Sequence, residues 1–99
     1  MHIHDLMAAA EKVADEKAFI QLLHLMRDSW MDERDKELIK PSEPYSAGAN
    51  GWENGSIGDF LDASAAWAEA ISPEDSDGSS VSETWRRAAR ILVAGAFYE

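Results

Sequence analysis

Residues 80–97 read SVSETWRRAARILVAGAF, and this stretch carries the clearest helical pattern in the chain. Ser80, followed three residues later by Glu83, matches a capping box at the start of a helix. The apolar residues that follow recur every three or four positions, which is the period of a helix with one buried face. They are Trp85, Ala88, Ala89, Leu92, Val93, Ala96 and Phe97. We expect a helix that runs nearly to Glu99.

The preceding segment predicts a similar helix. Ser56-Ile57-Gly58-Asp59 resembles a capping box with Asp in place of Glu or Gln, and Pro73 should end the helix at Ser72-Pro73. Residues 74–80 are polar and acidic, which is typical of a mobile linker. We therefore expect an antiparallel pair formed by the third and fourth helices. The apolar face of the third is Ile57, Phe60, Leu61, Ser64, Trp67, Ala68 and Ile71.

The N-terminal part of the chain predicts two more helices. Apolar residues recur at helical spacing from Ile3 to Ala14, and Asp15 suits the N-cap of the next helix. Residues 31–37 read MDERDKE, which favours a solvated helical surface supported by Asp32–Lys36 and Glu33–Lys36 pairs, with a binding surface as the alternative. The apolar face of the second helix is Ala18, Phe19, Leu22, Leu23, Met26 and Trp30, which Leu38 and Ile39 can extend.

Pro41 and Pro44 should end the second helix, because proline lacks an amide donor and restricts the residue before it. Residues 42–55 then form a long loop, of a length that is usually either functional or disordered. Tyr45 and Trp52 favour an ordered loop, because such large rings are most easily accommodated by packing on the core. The sequence thus predicts an all-α fold. It is a compact bundle of about four helices in a single domain over residues 1–99, with a long ordered loop before the third helix.

The composition limits the cellular compartments and the classes of function that we expect for this protein. The chain has 99 residues, 45% of them apolar, and no cysteine, which indicates one small domain in a reducing compartment. It shows neither a secretory signal nor an apolar run that could cross a membrane, so we expect a cytoplasmic protein without a membrane partner. No nucleotide-binding glycine loop, Gly-x-Ser-x-Gly or His-Glu-x-x-His motif is present, so we expect no enzymatic activity and no cofactor.

Two clusters of polar residues offer only weak metal-binding signals. His2 and His4 are two positions apart at the N-terminus, whereas Asp59 and Asp62 lie one helical turn apart. Neither cluster has a defined metal-ligand spacing. We expect no metal site.

Acidic residues are concentrated in the middle of the chain. Residues 41–85 contain nine Asp or Glu and no Lys or Arg, and so carry −9 of the total net charge of −10. Such a segment repels nucleic acids and membranes and attracts a basic protein surface. A partial imitation of DNA and a merely solubilising acidic surface are both compatible with this pattern. The nine acids are Glu43, Glu53, Asp59, Asp62, Glu69, Glu74, Asp75, Asp77 and Glu83.

The tryptophans divide into two groups. Trp30, Trp67 and Trp85 are in phase with the apolar faces of helices, which indicates core packing. Trp52 lies in the glycine-rich loop and is either an inward anchor or a partly exposed ring used in binding. Tyr45 has the same two interpretations.

Three arginines lie in the first half of the last predicted helix. Arg86, Arg87 and Arg90 oppose the helix dipole, so a stabilising partner is expected. We expect them to pair with carboxylates rather than to form an anion site. The candidate partners are Glu53, Asp59, Asp62 and Glu83.

Several short motifs resemble those of a family of small bacterial domains of unknown function. In that family a Trp-Glu-Asn loop leads into a helix that carries a tryptophan, and the last helix ends in Tyr-Glu. The matching positions here are residues 51–63, Trp67, residues 85–89 and residues 96–99. The resemblance covers about residues 15–99 and implies a bacterial or phage origin and a helical fold. It assigns no activity and no catalytic residue.

These patterns favour a small acidic binding module that presents residues 52–62 and 74–83 to a basic region of a larger effector, nuclease or toxin. An immunity protein and an anti-CRISPR protein both fit, without direct contact to nucleic acid. The alternative is a structural domain that self-associates, as in a homodimer, and a weak enzyme or metal-binding protein is a third interpretation. The expected binding residues are Tyr45, Trp52, Glu53, Asp59, Asp62, Glu69, Glu74, Asp75, Asp77 and Glu83.

Overall fold

The computed structural model describes residues 1–71 and 80–98. Over these ranges the chain forms four helices and no β-strand, which confirms the predicted all-α fold. The helices are α1 (Ile3–Ala10), α2 (Glu16–Ile39), α3 (Ile57–Ala70) and α4 (Val81–Ala94).

The three predicted N-caps are confirmed. The side chains of Asp15, Ser56 and Ser80 accept hydrogen bonds from backbone amides in the first turns of α2, α3 and α4, at 2.8–3.2 Å. Each bond satisfies an amide that has no partner within its helix. Local sequence therefore sets where these three helices begin.

Two helix ends were predicted wrongly. α1 ends at Ala10 rather than Ala14, because the amides of Lys12 and Val13 turn back to carbonyls three residues earlier and Val13 enters the core. α4 ends at Ala94 instead of continuing nearly to the C-terminus. A tighter turn over residues 95–97 follows α4, and its carbonyls are used by a neighbouring loop, as described below.

α4 is the central helix of the bundle and contacts all three of the others, including the predicted partner α3. The core around it includes Leu6, Leu22, Ala89 and Val93, which are all at most 1% exposed. α2 and α3 do not pack directly against each other. The loop over residues 40–56 fills the space between them, so the long loop is part of the packed structure, as predicted.

Parts of two predicted apolar faces are solvent-exposed, which corrects their assignment to the core. Leu38 and Ile39 at the end of α2 are 84% and 87% exposed, and Ile57 and Leu61 on α3 are 81% and 59% exposed. No described element covers these faces. Among the described residues, no helix is both long enough and apolar enough to span a bilayer.

Candidate partner-binding site

The loop between α2 and α3 is fastened by a buried carboxylate. Glu33 on α2 is fully buried, and its Oε1 accepts hydrogen bonds from the amides of Asn50 and Trp52 at 2.9 and 3.2 Å. Its Oε2 accepts from the Arg34 guanidinium at 2.8 Å. A side chain at Gly48 would lie 2.2 Å from the carboxylate, so the loop needs glycine there to approach this closely. The buried charge is compensated by these donors, as a buried ion requires.

Two further polar residues of α2 hold the same loop. Glu37 accepts hydrogen bonds from the amides of Ser42 and Ala49 and from the Ser42 hydroxyl, at 2.5–2.9 Å. Lys36 bonds both the side chain of Asn50 and that of Asp32, each at 2.8 Å. The predicted Asp32–Lys36 pair is therefore confirmed. The predicted Glu33–Lys36 pair is wrong, because Glu33 pairs with Arg34 instead.

The prediction that residues 31–37 form a solvated helical surface holds for Met31, Arg34, Asp35 and Lys36, which are exposed, but is wrong for the buried Glu33. One side of this stretch is covered by the loop. The sequence carried a usable signal, because the buried positions Leu22, Met26, Ser29 and Glu33 continue one face of α2 at helical spacing. Sequence reasoning missed Glu33 because a charged residue in a polar run is ordinarily assigned to solvent.

Trp52 is an inward anchor, with 9% of its surface exposed. Its ring lies 5.4 Å from the ring of Trp30 on α2 and 6.4 Å from that of Phe60 on α3. Its indole nitrogen donates a hydrogen bond to the Ser29 hydroxyl at 3.1 Å, and that hydroxyl donates to the carbonyl of Met1. Of the two predicted alternatives for Trp52, the inward anchor is therefore confirmed, and the ring bridges two helices that do not pack against each other.

A shallow groove remains above this tryptophan, between α2 and α3. Its apolar part is about 370 Å³ and is lined by Trp30, Trp52, Ile57 and Phe60, with residues 54–56 at its edge. A polar part of about 270 Å³ adjoins it and contains four glutamates. These are Glu33, Glu37, Glu43 and Glu53. Trp30, Trp52 and Gly55 line both parts, so the two parts adjoin each other.

Tyr45 is fully exposed at the tip of a turn in this loop. The amide of Ser46 donates to the carbonyl of Glu43 at 3.1 Å, which closes a turn with Pro44 and Tyr45 at its centre. Tyr45 has φ of +68°, a conformation that costs a non-glycine residue on the order of 1 kcal/mol. Of the two predicted alternatives for Tyr45, the inward anchor is therefore wrong, because a strained backbone presents the ring to solvent.

Residues 41–85, which contain no Lys or Arg, are called the base-free segment below, and their acidic residues differ in whether they form ion pairs. Glu83 pairs with Arg86 at 2.5 Å, as predicted. Within residues 1–71 and 80–98, none of the other acids of the segment forms an ion pair, and all of them are exposed. They are Glu43, Glu53, Asp59, Asp62 and Glu69. The predicted binding residues Glu74, Asp75 and Asp77 lie outside the described residues.

The other two arginines of α4 do not pair with the acids that were predicted. Arg90 forms a two-pronged bond to Glu11, at 2.6 and 2.7 Å. Arg87 donates to the carbonyl of Ala68 at 2.8 Å and lies 5.0 Å from the centre of the Trp67 ring. α4 packs against α1 and α3, which brings these different partners within reach.

Among the described residues, the pKa values of three carboxyl groups are lowered, which favours the charged form. The pKa of Glu37 is lowered mainly by its hydrogen bonds from Ser42, and that of Asp32 mainly by the Lys36 ammonium. The pKa of Glu11 is lowered by the Arg90 guanidinium. Over the described ranges, no three His, Asp or Glu side chains converge in a way that could hold a metal ion.

The loop also contacts the end of α4. The amides of Glu53 and Asn54 donate to the carbonyl of Ala96 at 2.8 and 3.1 Å. The Asn54 side-chain amide donates to the carbonyls of Gly95 and Tyr98 at 2.9 and 3.1 Å. These bonds pair the loop with carbonyls of the residues that follow α4.

Residues 15–99 match a family of unknown function, DUF7660. The chain belongs to this family. It has no significant match among curated proteins or among solved structures. The matched region contains α2, α3, α4 and the whole loop, so the groove lies within the part of the chain that the family describes.

Proposed function

We propose that this DUF7660 protein is a small acidic, non-enzymatic inhibitor that binds a basic, nucleic-acid-binding surface of a larger protein. The supporting observation is the set of exposed carboxylates in residues 41–71 that have no cationic partner among the described residues. The arginines of α4 engage Glu83, Glu11 and Ala68 and leave those carboxylates uncompensated. Uncompensated charge of one sign steers a partner of opposite charge and repels nucleic acid.

The partner class follows from this chemistry. A basic nuclease toxin and a CRISPR effector both expose nucleic-acid-binding surfaces rich in lysine and arginine. The proposal therefore covers an immunity protein and an anti-CRISPR protein, of bacterial or phage origin. It includes a cytoplasmic location, which the cysteine-free sequence favours.

A competition assay tests this function. A fluorescein-labelled peptide of alternating lysine and arginine is first bound to a short DNA duplex, and the protein is then added. We expect it to displace the DNA, with an association rate that falls as salt is raised. Failure of the wild-type chain to displace DNA at any salt concentration overturns the proposal.

Two charge variants separate a specific surface from overall charge. The first replaces four acids of the segment with their amides, and the second does the same at four exposed acids elsewhere, so both change the net charge from −10 to −6. We expect the first to weaken displacement by about tenfold and the second by much less. Equal effects contradict a dedicated surface. The first set is Glu43, Glu53, Asp59 and Asp62, and the second is Asp5, Glu16, Asp28 and Asp35.

Self-association is a second candidate function, favoured by the exposure of Ile57 and Leu61 on one side of α3. Apolar side chains one helical turn apart form a continuous patch that a second copy can cover. Sedimentation velocity distinguishes the two functions. Self-association predicts a dimer that Leu61→Glu dissociates, whereas a monomer at all concentrations contradicts it.

A further inference from the structure

The groove between α2 and α3 joins an apolar part to an acidic part. Trp30, Trp52, Ile57 and Phe60 line the apolar part, and the four glutamates described above line the acidic part. Such a juxtaposition is suited to a ligand with apolar and cationic groups side by side. We infer that the groove binds a short segment of a basic partner protein in which an apolar side chain adjoins an arginine or lysine. This inference rests on the proposed function and specifies the surface and the recognition chemistry.

The apolar part is preorganised. The Trp52 ring that forms its floor is held from three sides, by Trp30, by Phe60 and by the hydrogen bond to Ser29. A rigid aromatic floor requires little ordering when a ligand binds, which improves affinity. Ile57, which is 81% exposed, forms a wall that is available to a ligand. An aliphatic side chain of a partner would remove apolar surface from water on both molecules.

The acidic part contains carboxylates that are not needed to hold the loop and that can therefore bind a ligand. Glu33 is fully used by its amide and guanidinium partners, but Glu43 and Glu53 are exposed and unpaired among the described residues. Glu37 stays ionised because the hydrogen bonds that it accepts from Ser42 lower its pKa. Among the described residues that line this part, the carboxylates outnumber the cations, of which Arg34 is one.

Arg34 shows how a cation can sit at this boundary. Its guanidinium carbon lies 4.3 Å from the centre of the Trp30 ring while the group pairs with Glu33. The face of Trp30 therefore accommodates a guanidinium beside a carboxylate. An incoming arginine would find similar chemistry at the exposed carboxylates across the groove.

Charge complementarity favours a basic partner over a second copy of this chain. In a second copy, the exposed segment that could enter the groove is Leu38, Ile39 and Lys40. Each copy, however, carries a net charge of −10. The acidic mouth of the groove would repel most of that copy. Docking of this segment is the competing outcome that the experiment must detect.

The glycines provide a matched pair of variants. Gly55 lines both parts of the groove, and a Cβ there meets no atom within 4 Å, so Gly55→Leu should obstruct the groove without disturbing the core. Gly58 also has open space around it and does not line either part. Gly58→Leu is therefore the control with the same added volume.

The experiment titrates the isotope-labelled full chain with the peptide Gly-Lys-Leu-Arg-Gly and follows amide and indole resonances by NMR. We expect the largest shifts at the indoles of Trp30 and Trp52 and at the amides of residues 53–57. Peptides in which leucine is replaced by glycine, or both basic residues by glutamine, should bind at least about tenfold more weakly. Gly55→Leu should weaken binding similarly, and Gly58→Leu should leave it unchanged.

The outcomes separate this inference from the proposed function. One outcome is that the peptide binds but shifts only the resonances of Asp59, Asp62 and Glu69 on the outer side of α3. That result would contradict the groove as the binding site and would leave the proposed basic partner supported. If no peptide binds and the DNA competition also fails, both proposals are wrong. Concentration-dependent shifts at Leu38 and Ile39 without peptide would assign the groove to a second copy and overturn the inference.

Discussion

Replacing Glu33 with alanine tests whether one buried carboxylate holds the loop and the groove together. The variant removes the acceptor of two buried backbone amides, those of Asn50 and Trp52. Each unsatisfied amide costs about 1–3 kcal/mol, and the half-exposed Arg34 pair adds little. The expected loss of unfolding free energy is about 2–6 kcal/mol, a large part of the 5–15 kcal/mol typical of a domain.

Urea denaturation followed by tryptophan fluorescence measures this loss, and amide hydrogen exchange localises it. Glu33→Gln keeps one carbonyl oxygen as an acceptor, so it should lose less than half as much. Asp35→Ala removes an exposed carboxylate from the same helix and should leave stability unchanged or slightly higher. A loss below about 1 kcal/mol in Glu33→Ala, with unchanged exchange at Asn50 and Trp52, would refute the reasoning.

Three further variants probe the same loop. Gly48→Ala should destabilise the protein by about 1–3 kcal/mol in thermal unfolding, because the new methyl group meets the Glu33 carboxylate, and a neutral result would contradict this close approach. Tyr45→Gly should be more stable than Tyr45→Ala by about 0.5–1 kcal/mol, because only glycine adopts a positive φ freely; equal melting temperatures would argue against the strained turn. The native pKa of Glu37 lies below its ordinary value of 4.5, so its stabilising effect is complete above that pH and is lost as the pH falls through the native pKa. The melting temperature of Glu37→Gln should therefore fall less on acidification than that of the wild type, and parallel curves would contradict this.

The starts of the helices could be predicted from the sequence because capping is local. Ser56 and Ser80 each need only an amide three residues away, and both caps are present. Helix ends were less predictable, because the last turns compete with tertiary partners. The carbonyls after α4 accept hydrogen bonds from Asn54, which is distant in sequence.

The candidate site was predictable only in part. Net charge and the base-free segment can be counted from the sequence. They were enough to predict that the acids of this segment form part of the candidate site. The groove was not predictable, because it exists only where α2 and α3 fail to meet and Trp52 spans the gap. The role of Gly55 also depends on that geometry, since nothing in the local sequence shows that it borders both parts.

The sequence by itself determined four capped or periodic helical segments, an acidic middle without bases, and a loop with enough aromatic surface to pack. Those properties depend on residues close together in the chain or on simple counts. Only the tertiary structure decided that Glu33 is buried, that Trp52 points inward and that Ile57 remains in water. Each of these depends on which distant segment covers a side chain, and that is settled by how the helices and the loop pack together.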